Sequence, residues 1–206
     1  MHSLLPLRRF LVLVSILVSA PTALHAGYTK QSTWQETARL ALGEMFAKST
    51  PGTQPGPAGT ELGTWYVAGP FQGDKKKRFK TVFPPMQGEI DVTKPCGGKR
   101  WTAKPQYWDG VVHMMRAGSY SGTFLTRIIR SPKDQTITGY FGSDDGMKAW
   151  LNGKEIISHD VPRGPSPNQE KAKLALKKGD NRLTIMPFNN SGGHGFYFST
   201  NKKPGS

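Results

Sequence analysis

The sequence predicts an all-β protein, an antiparallel β-sandwich of the jelly-roll type preceded by one N-terminal helix. The 206 residues include 24 Gly and 16 Pro, a composition that favours short strands joined by tight turns over a helical bundle. Between residues 64 and 200, strand-like runs alternate with turn residues and no helical pattern intervenes. Short strands at regular spacing are typical of sandwiches and jelly rolls.

The first 26 residues have the pattern of a signal peptide. Arg8 and Arg9 precede the short apolar run 10–18, and Ala26 is a suitable last residue before cleavage. The run is shorter than the about 20 apolar residues that a membrane-spanning helix needs. We therefore expect an exported protein that is periplasmic, extracellular or associated with the cell envelope, with no transmembrane anchor.

A helical segment and a linker are expected before the sandwich. Within the segment 27–48, residues 33–47 place their apolar side chains on one helical face, and Thr33 with Glu36 forms a capping box. Residues 49–63 contain three Pro and four Gly, which predicts a flexible tether. The pattern leaves open whether the helix packs on the sandwich or on a partner protein.

Ten strands are expected in the sandwich domain 64–200, which a short tail, 201–206, follows. They lie near 64–68, 80–83, 100–104, 122–130, 135–142, 147–151, 154–158, 171–176, 182–188 and 195–199. Asn152-Gly153 is the clearest hairpin signal, because both residues tolerate the positive φ of a type I′ turn. The run 178–181 predicts a second hairpin.

The chain carries a large excess of basic residues. There are 28 Lys and Arg against 14 Asp and Glu, a formal net charge of +14. In an exported protein, this excess favours an acidic polysaccharide or another glycan, or envelope and matrix proteins, over nucleic acid as the partner. The densest basic run, Lys75 to Arg78, is predicted to be a solvated loop rather than a binding patch.

The single cysteine, Cys96, excludes an internal disulfide and a Cys-x-x-Cys-His haem attachment, so no haem is expected. The sequence leaves open whether Cys96 is buried or pairs with another chain. Gly-x-Ser-x-Gly elbows, phosphate-binding Gly-rich loops and His-Glu-x-x-His helices are all missing from the sequence. We therefore expect no catalytic residues and no enzyme activity.

The acidic pair Asp144-Asp145, just before the predicted strand 147–151, is the best candidate for a metal site. Two consecutive carboxylates converge on one cation only if the backbone is unusual, for example through a cis peptide. Calcium takes six to eight oxygen ligands, so Asn189 as a further ligand and Asn190 nearby would have to come from a second loop. The alternative is turn chemistry, in which the two carboxylates accept backbone N–H bonds.

Exposed tryptophans are candidate sugar-binding residues, because the C–H face of a sugar ring stacks on an indole. Trp101, Trp108 and Trp150 are the candidate ligand-binding residues of this kind. The alternative for each is a place in the core or between the sheets.

Ordered motifs give the chain a resemblance to known modules. They are Trp65-x-Val67-x-Gly69-Pro70-Phe71, Phe83-Pro84-Pro85, Ser143-Asp144-Asp145-Gly146 followed by Trp150-Leu151-Asn152-Gly153-Lys154, Arg163, Pro167-x-Gln169, Leu176 to Leu183 and Gly195 to Phe198. Over about 64–199 the chain resembles an exported β-sandwich module of large bacterial proteins, often found beside cytochrome-c-like domains and without an established catalytic role. The Asp-Asp-Gly hairpin also resembles the protective-antigen-type sugar-binding sandwich, in whose flocculin branch such a pair holds calcium, and the calcium holds sugar hydroxyls.

The chain departs from the first module at Met86, where an acidic residue usually follows the two prolines, and the cytochrome-c-like neighbours are missing. Two functions therefore remain open at the level of sequence. One is a non-catalytic carbohydrate-binding module, with calcium at the acidic pair. The other is a structural or protein-interaction module of the envelope that has no sugar ligand.

Overall fold

The protein is described by a computed structural model that covers residues 51–202. Signal peptide 1–26, helical segment 27–48 and the end of the tail lie outside the described residues. The strands are β1 Gln54–Pro55, β2 Glu61–Leu62, β3 Trp65–Gln72, β4 Thr102–Lys104, β5 His113–Met114, β6 Ser121–Ser131, β7 Gln135–Asp144, β8 Gly146–Leu151, β9 Lys154–His159, β10 Glu170–Leu176, β11 Gly179–Asn189 and β12 Gly195–Ser199. In this range no helix is long and apolar enough to cross a membrane.

The strands form two antiparallel sheets, as the sequence predicts. The large sheet has the order β1-β2-β6-β11-β8-β9, and β3 pairs with β6 beyond β2 and carries β4 on its other edge. The small sheet has the order β10-β7-β12-β5. The prediction of an all-β antiparallel fold is confirmed for the described residues.

The main core lies between the two sheets. Alternate residues of each strand point inward, since successive side chains of a strand lie on opposite faces. On β8, Met147, Ala149 and Leu151 are buried in this core, while Lys148 and Trp150 are on the other face. Across the core, the large sheet contributes Leu125, Ile129, Leu183 and Ile185, and the small sheet contributes Phe141, Leu174, Phe196 and Phe198.

A second apolar layer covers the outer face of the large sheet. We call it the outer cluster: Ala68, Phe71, Phe79, Phe83, Trp101, Phe124, Met186 and Phe188. Aromatic rings of the connection between β3 and β4 meet the sheet edge to face, for example Phe79 on Phe188 with centroids 5.8 Å apart and Phe83 on Phe124 at 6.0 Å. The long connection is therefore packed against the sheet rather than free in solvent.

An ion pair is buried at one side of the main core. Arg127 of β6 donates from Nη1 to both carboxylate oxygens of Asp109 at 2.7 and 2.8 Å, and from Nε to the carbonyl of Gly63 at 2.7 Å. The Arg127 side chain is 0% exposed and that of Asp109 is 10% exposed. The guanidinium carbon also lies 4.5 Å from the centroid of the Trp65 ring. This pair fastens the connection before β5 to the centre of the large sheet.

Two predicted boundaries are wrong. The predicted strand 80–83 is wrong: a 3-10 turn, Arg78–Lys80, ends there and residues 81–83 form no strand. The reason is that Phe79 and Phe83 both insert their side chains into the outer cluster. The predicted tether 49–63 is wrong for residues 54–62, where β1 and β2 pair and β2 continues onto β6. Leu62, only 2% exposed, belongs to the main core. Burial of Leu62 and the pairing of β2 with β6 hold this segment on the large sheet despite its Gly and Pro content.

The two predicted hairpins have different outcomes. Asn152 and Gly153 have φ of 50° and 80°, and they join the paired strands β8 and β9, which confirms that hairpin. The run 178–181 does reverse the chain, but it connects β10 of the small sheet to β11 of the large sheet, so the second hairpin prediction is wrong. The Asn181 side chain stabilises this crossover by accepting from the Lys177 N–H at 2.9 Å and donating to its carbonyl at 2.7 Å.

Candidate functional site

The acidic pair lies where the chain crosses from the small sheet to the large sheet. Asp144 is the last residue of β7, and β8 begins at Gly146. The peptide bond between Asp144 and Asp145 is cis, and the Asp145 N–H donates to the Phe188 carbonyl of β11 at 2.9 Å. The pair therefore occupies a defined position at one end of the sandwich.

The Asp145 carboxylate connects two loops. Its Oδ1 accepts the backbone N–H of Arg163 at 3.2 Å, and its Oδ2 accepts the backbone N–H of Asn190 at 2.7 Å. Arg163 precedes β10 and Asn190 follows β11. Each carboxylate oxygen has about two lone pairs, so both oxygens keep a further acceptor position after these bonds.

The Asp144 carboxylate has a different environment. The residue is 9% exposed, and none of the hydrogen bonds among residues 51–202 reaches its carboxylate oxygens. Burial and the charge of Asp145 raise the pKa of Asp144 above its ordinary value. A Cβ on Gly193 would lie 2.7 Å from Asp144 Oδ2, so the glycine is what lets the second loop approach this carboxylate closely.

The loop 189–194 supplies further oxygen atoms. Asn189 is 0% exposed; its Nδ2 donates to the Gly118 carbonyl at 3.1 Å, but its buried Oδ1 accepts no hydrogen bond in the described part of the chain. Asn190 Oδ1 accepts two bonds from the Arg78 guanidinium, at 3.2 and 2.8 Å. The Asn189 amide oxygen therefore keeps a free acceptor position, whereas that of Asn190 is engaged.

His194 supports the acidic pair from within. Its Nδ1 lies 3.1 Å from the Asp144 carbonyl oxygen and its Nε2 lies 3.0 Å from Thr123 Oγ1. Because a carbonyl only accepts, Nδ1 carries the proton and Nε2 accepts from the threonine hydroxyl. Burial lowers the pKa of His194, so the neutral ring is favoured and adds no positive charge to the site.

Two arginines flank the acidic pair. Arg163 Nη1 pairs with Glu170 Oε1 at 2.8 Å, and Nη2 donates to Ser143 Oγ at 3.1 Å. Burial raises the pKa of Glu170, but hydrogen bonds and the charges of His159 and Arg163 outweigh burial, so the net shift is downward. Arg78, by contrast, makes no ion pair with a carboxylate in the range 51–202; its guanidinium carbon lies 5.7 Å from the centroid of the Tyr120 ring.

The structure brings together four of the seven predicted site residues: Asp144, Asp145, Asn189 and Asn190. Trp101 is not an exposed sugar platform; it is 9% exposed and belongs to the outer cluster, because the connection before β4 packs its apolar side chains on the sheet. Trp108 is 54% exposed in the connection between β4 and β5. Trp150 is half-buried on the outer face of the large sheet and, five residues along β8 from Asp145, lies about 16 Å away by strand rise.

Sequence reasoning missed Arg78 as a neighbour of the acidic loop. Its run was predicted to be a solvated loop, and Lys75, Lys76 and Lys77 are indeed exposed. Phe79 is the signal that distinguishes this run from an ordinary charged loop, because a buried aromatic residue anchors it beside the end of β11. Cys96 is half-buried, has a free thiol and lies in a tight turn that pairs with Lys99.

The possible metal ligands are mostly neutral oxygens. In the described part of the chain, no three His, Cys, Asp or Glu side chains form a group able to hold a metal ion. A cation at this end of the sandwich would therefore be held by the two aspartates together with amide, carbonyl and external oxygens. This oxygen-only set suits a hard cation such as calcium.

No protein-family model matches the chain, and no curated protein matches it. Similar solved structures include the PA14 domain of the antifreeze protein MpAFP, 13% identical, with a TM-score of 0.35 and coverage of 71% of this chain and 68% of that one. The PA14 sugar-binding domain from an RTX adhesin is 12% identical, with a TM-score of 0.29 and coverage of 78% and 75%. A β-glucosidase from Kluyveromyces marxianus is 21% identical, with a TM-score of 0.34, and the match covers 40% of this chain and only 11% of the β-glucosidase.

Proposed function

We propose that the protein is an exported, non-catalytic carbohydrate-binding module that holds a calcium ion through Asp144, Asp145 and Asn189. One observation carries the proposal: Asp144 is a buried residue, 9% exposed, and its carboxylate stands beside a second carboxylate and receives no hydrogen bond from the described residues. A buried charge without a partner is costly. A bound cation supplies the missing compensation.

The oxygen atoms present fit calcium. Asp144 offers two free oxygens, Asp145 keeps acceptor positions on both of its oxygens, and the orphaned Oδ1 of Asn189 is a neutral ligand. Calcium takes six to eight oxygens, so carbonyls of the loop 189–194, waters and sugar hydroxyls complete the set. The bound ion would attract sugar hydroxyls, and the Arg78 contact would hold Asn190 and its loop in position.

The basic loop beside this site favours an acidic glycan. Lys75, Lys76 and Lys77 are exposed, and Arg78 is two hydrogen bonds away from Asp145, through Asn190. The loop's own acid, Asp74, uses its carboxylate on the N–H groups of Lys76 and Lys77. A uronate or sulfate on a sugar held by the ion would therefore meet unpaired positive charge.

Thermal melting with and without calcium tests the metal site. A ligand that binds only the folded state at a hundredfold excess over Kd stabilises that state by about 2.7 kcal/mol. For a chain of this size we expect millimolar calcium to raise Tm by about 5–10 °C, using about 2–4 °C per kcal/mol. Magnesium should substitute poorly, because its octahedral shell dehydrates reluctantly.

Asp144→Asn is the sharpest variant, since the Asp144 carboxylate has no hydrogen bond to lose. Without calcium it should melt at or above the native Tm, because the repulsion with Asp145 is removed, and with calcium it should show little further gain. The matched control is Asp160→Asn, at an exposed aspartate directly after β9. Its Tm should respond to calcium as that of the native protein does. An unchanged native melt in calcium would contradict the metal site.

A glycan array, with calcium and with EDTA, tests the sugar. We expect calcium-dependent binding that favours uronic or sulfated glycans, and a smaller preference for them in Arg78→Gln. If no glycan binds in either condition, the alternative function as a structural or protein-interaction module is favoured. The two backbone bonds of Asp145, one from each loop, support that alternative, because they connect the loops without any ion.

A further inference from the structure

A cavity of about 570 Å³ lies on the outer face of the large sheet, away from the acidic pair. It is an open cleft between the strands β6, β11 and β8 and the segment that follows the 3-10 turn Pro84–Met86. Its volume falls within the about 300–1,000 Å³ typical of small-molecule sites. The predicted ligand-binding residue Trp150 lines this cavity rather than the acidic loop.

The floor of the cavity is the half-buried Trp150 ring, which is backed by the ring of Phe124, only 1% exposed. The rings of Trp150 and Phe124 are nearly parallel, with an interplanar angle of 17° and centroids 6.2 Å apart. Met86 and Ile90 form an apolar wall, and buried Phe83, packed on Phe124, anchors the segment that carries them. A flat floor under a supported wall suits a ring rather than a flexible chain.

A cation stands at one end of this floor. Thr184 of β11 is directly opposite Trp150 of β8, so Arg182 is the diagonal neighbour of Trp150 on the same face, about 7–8 Å away. Among residues 51–202, Arg182 forms no ion pair, and its guanidinium makes one long hydrogen bond, 3.5 Å to Thr126 Oγ1. Its charge is therefore available to a ligand.

The polar lining limits how much charge the ligand carries. Glu89 is exposed at the rim, so that the lining has one anion and one cation. Asn152, of the hairpin turn, also lines the rim, and its Oδ1 is occupied by the Arg182 backbone N–H at 2.8 Å. One negative group next to Arg182 fits this arrangement, whereas a polyanion would be repelled by Glu89.

We propose that this cavity is a second ligand site, independent of calcium, for a six-membered ring that bears one carboxylate. The ring face lies on Trp150, where an indole stacks on either a sugar C–H face or an aromatic ring, and the carboxylate pairs with Arg182. Two sources share this chemistry: a uronic acid residue of a glycan, and an aromatic acid of the hydroxycinnamate type. The site does not depend on the proposed function of the acidic loop.

Isothermal titration calorimetry of the full chain in EDTA tests the site with matched probes. Methyl glucuronide is compared with methyl glucoside, and ferulate with ethyl ferulate, so that each pair differs in the carboxylate. We expect saturable binding of at least one acid, and the pair that binds identifies the source. Arg182→Gln should lower the affinity for that acid at least tenfold, to the affinity measured for its neutral counterpart.

Trp150→Ala should weaken both members of the binding pair, and Trp150→Phe should restore part of the affinity, which guards against a misfolded variant. Arg130→Gln, at an exposed arginine of β6, and Trp108→Ala, at an exposed tryptophan outside the cavity lining, are the matched controls and should bind as the native protein does. Three results would each overturn the proposal: no saturable binding of either acid, unchanged affinity in Arg182→Gln, or binding that needs calcium and Asp144. The last would assign the ligand to the acidic loop.

Discussion

Removing the Asp109 carboxylate tests how much the buried ion pair contributes to stability. Arg127 is completely buried and has two short bonds to Asp109, while its Nη2 already lacks a hydrogen-bond partner among the described residues. In Asp109→Asn the positive charge stays in the core without its counter-ion. Breaking a buried pair by removing one partner costs about 3–5 kcal/mol.

The expected loss of Tm is large enough to measure easily. At about 2–4 °C per kcal/mol, Asp109→Asn should lower Tm by about 6–20 °C, and urea unfolding should show a lower midpoint with an unchanged slope. The matched control is Asp180→Asn. Its partner Arg130 lies on β6, as Arg127 does, but the side chains of Arg130 and Asp180 are 63% and 55% exposed. Because both of its side chains are solvent-exposed, this pair should contribute little to stability.

A double variant separates a lost charge pair from lost packing. Arg127→Met with Asp109→Leu removes both charges and fills the space with apolar atoms, and such replacements of buried pairs are often neutral or stabilising. It should therefore unfold at a higher temperature than Asp109→Asn alone. The reasoning is refuted if Asp109→Asn costs no more than Asp180→Asn, or if the double variant is the least stable of the three.

The remaining predictions concern pH and backbone space. Burial lowers the pKa of His194, so the unfolded chain binds a proton more readily than the folded protein does. Stability should therefore fall as the pH drops below about 6.5. Between pH 5 and 7.5, the urea midpoint of His194→Gln should change less with pH than that of the native protein. Because the pKa of Asp144 is raised, the metal-free protein should become less stable as the pH rises through the shifted pKa and the buried carboxyl loses its proton. The calcium-induced rise in Tm should shrink as the pH falls through the same value, since calcium binds the ionised carboxylate. A Cβ on Gly142 would lie 1.9 Å from the Ser166 carbonyl oxygen, so Gly142→Ala should cost about 1–3 kcal/mol, whereas Gly164→Ala, with open space around it, should melt near the native temperature.

Local patterns were sufficient to predict most strands. The alternation of Met147, Ala149 and Leu151 with Lys148 assigned the faces of β8 correctly, and Asn152-Gly153 located the following turn. Both signals act within a few residues, because side-chain direction in a strand and positive φ in a turn are properties of the local backbone. The acidic pair was likewise singled out from two adjacent residues, and its role as a metal site stays a prediction.

Contacts between distant segments were not predictable in this way. The turn before Asn181 indicates a chain reversal, but not that the next strand joins the other sheet. The sequence around Trp101 does not show that its side chain is buried, because the burial depends on the preceding connection folding back on the large sheet. Arg78 meets Asn190 across 112 residues, and no local pattern of charge specifies such a partner.

The order in which the chain visits the two sheets has a consequence for how the protein folds. From β6 onward the chain alternates between them: β6 lies in the large sheet, β7 in the small, β8 and β9 in the large, β10 in the small, β11 in the large and β12 in the small. Neither sheet is a continuous piece of sequence, and the central pairing joins Leu125 to Ile185. Such a topology has a high contact order, so we expect folding in milliseconds to seconds rather than microseconds, and cleavage in one loop should not release either sheet as a stable fragment.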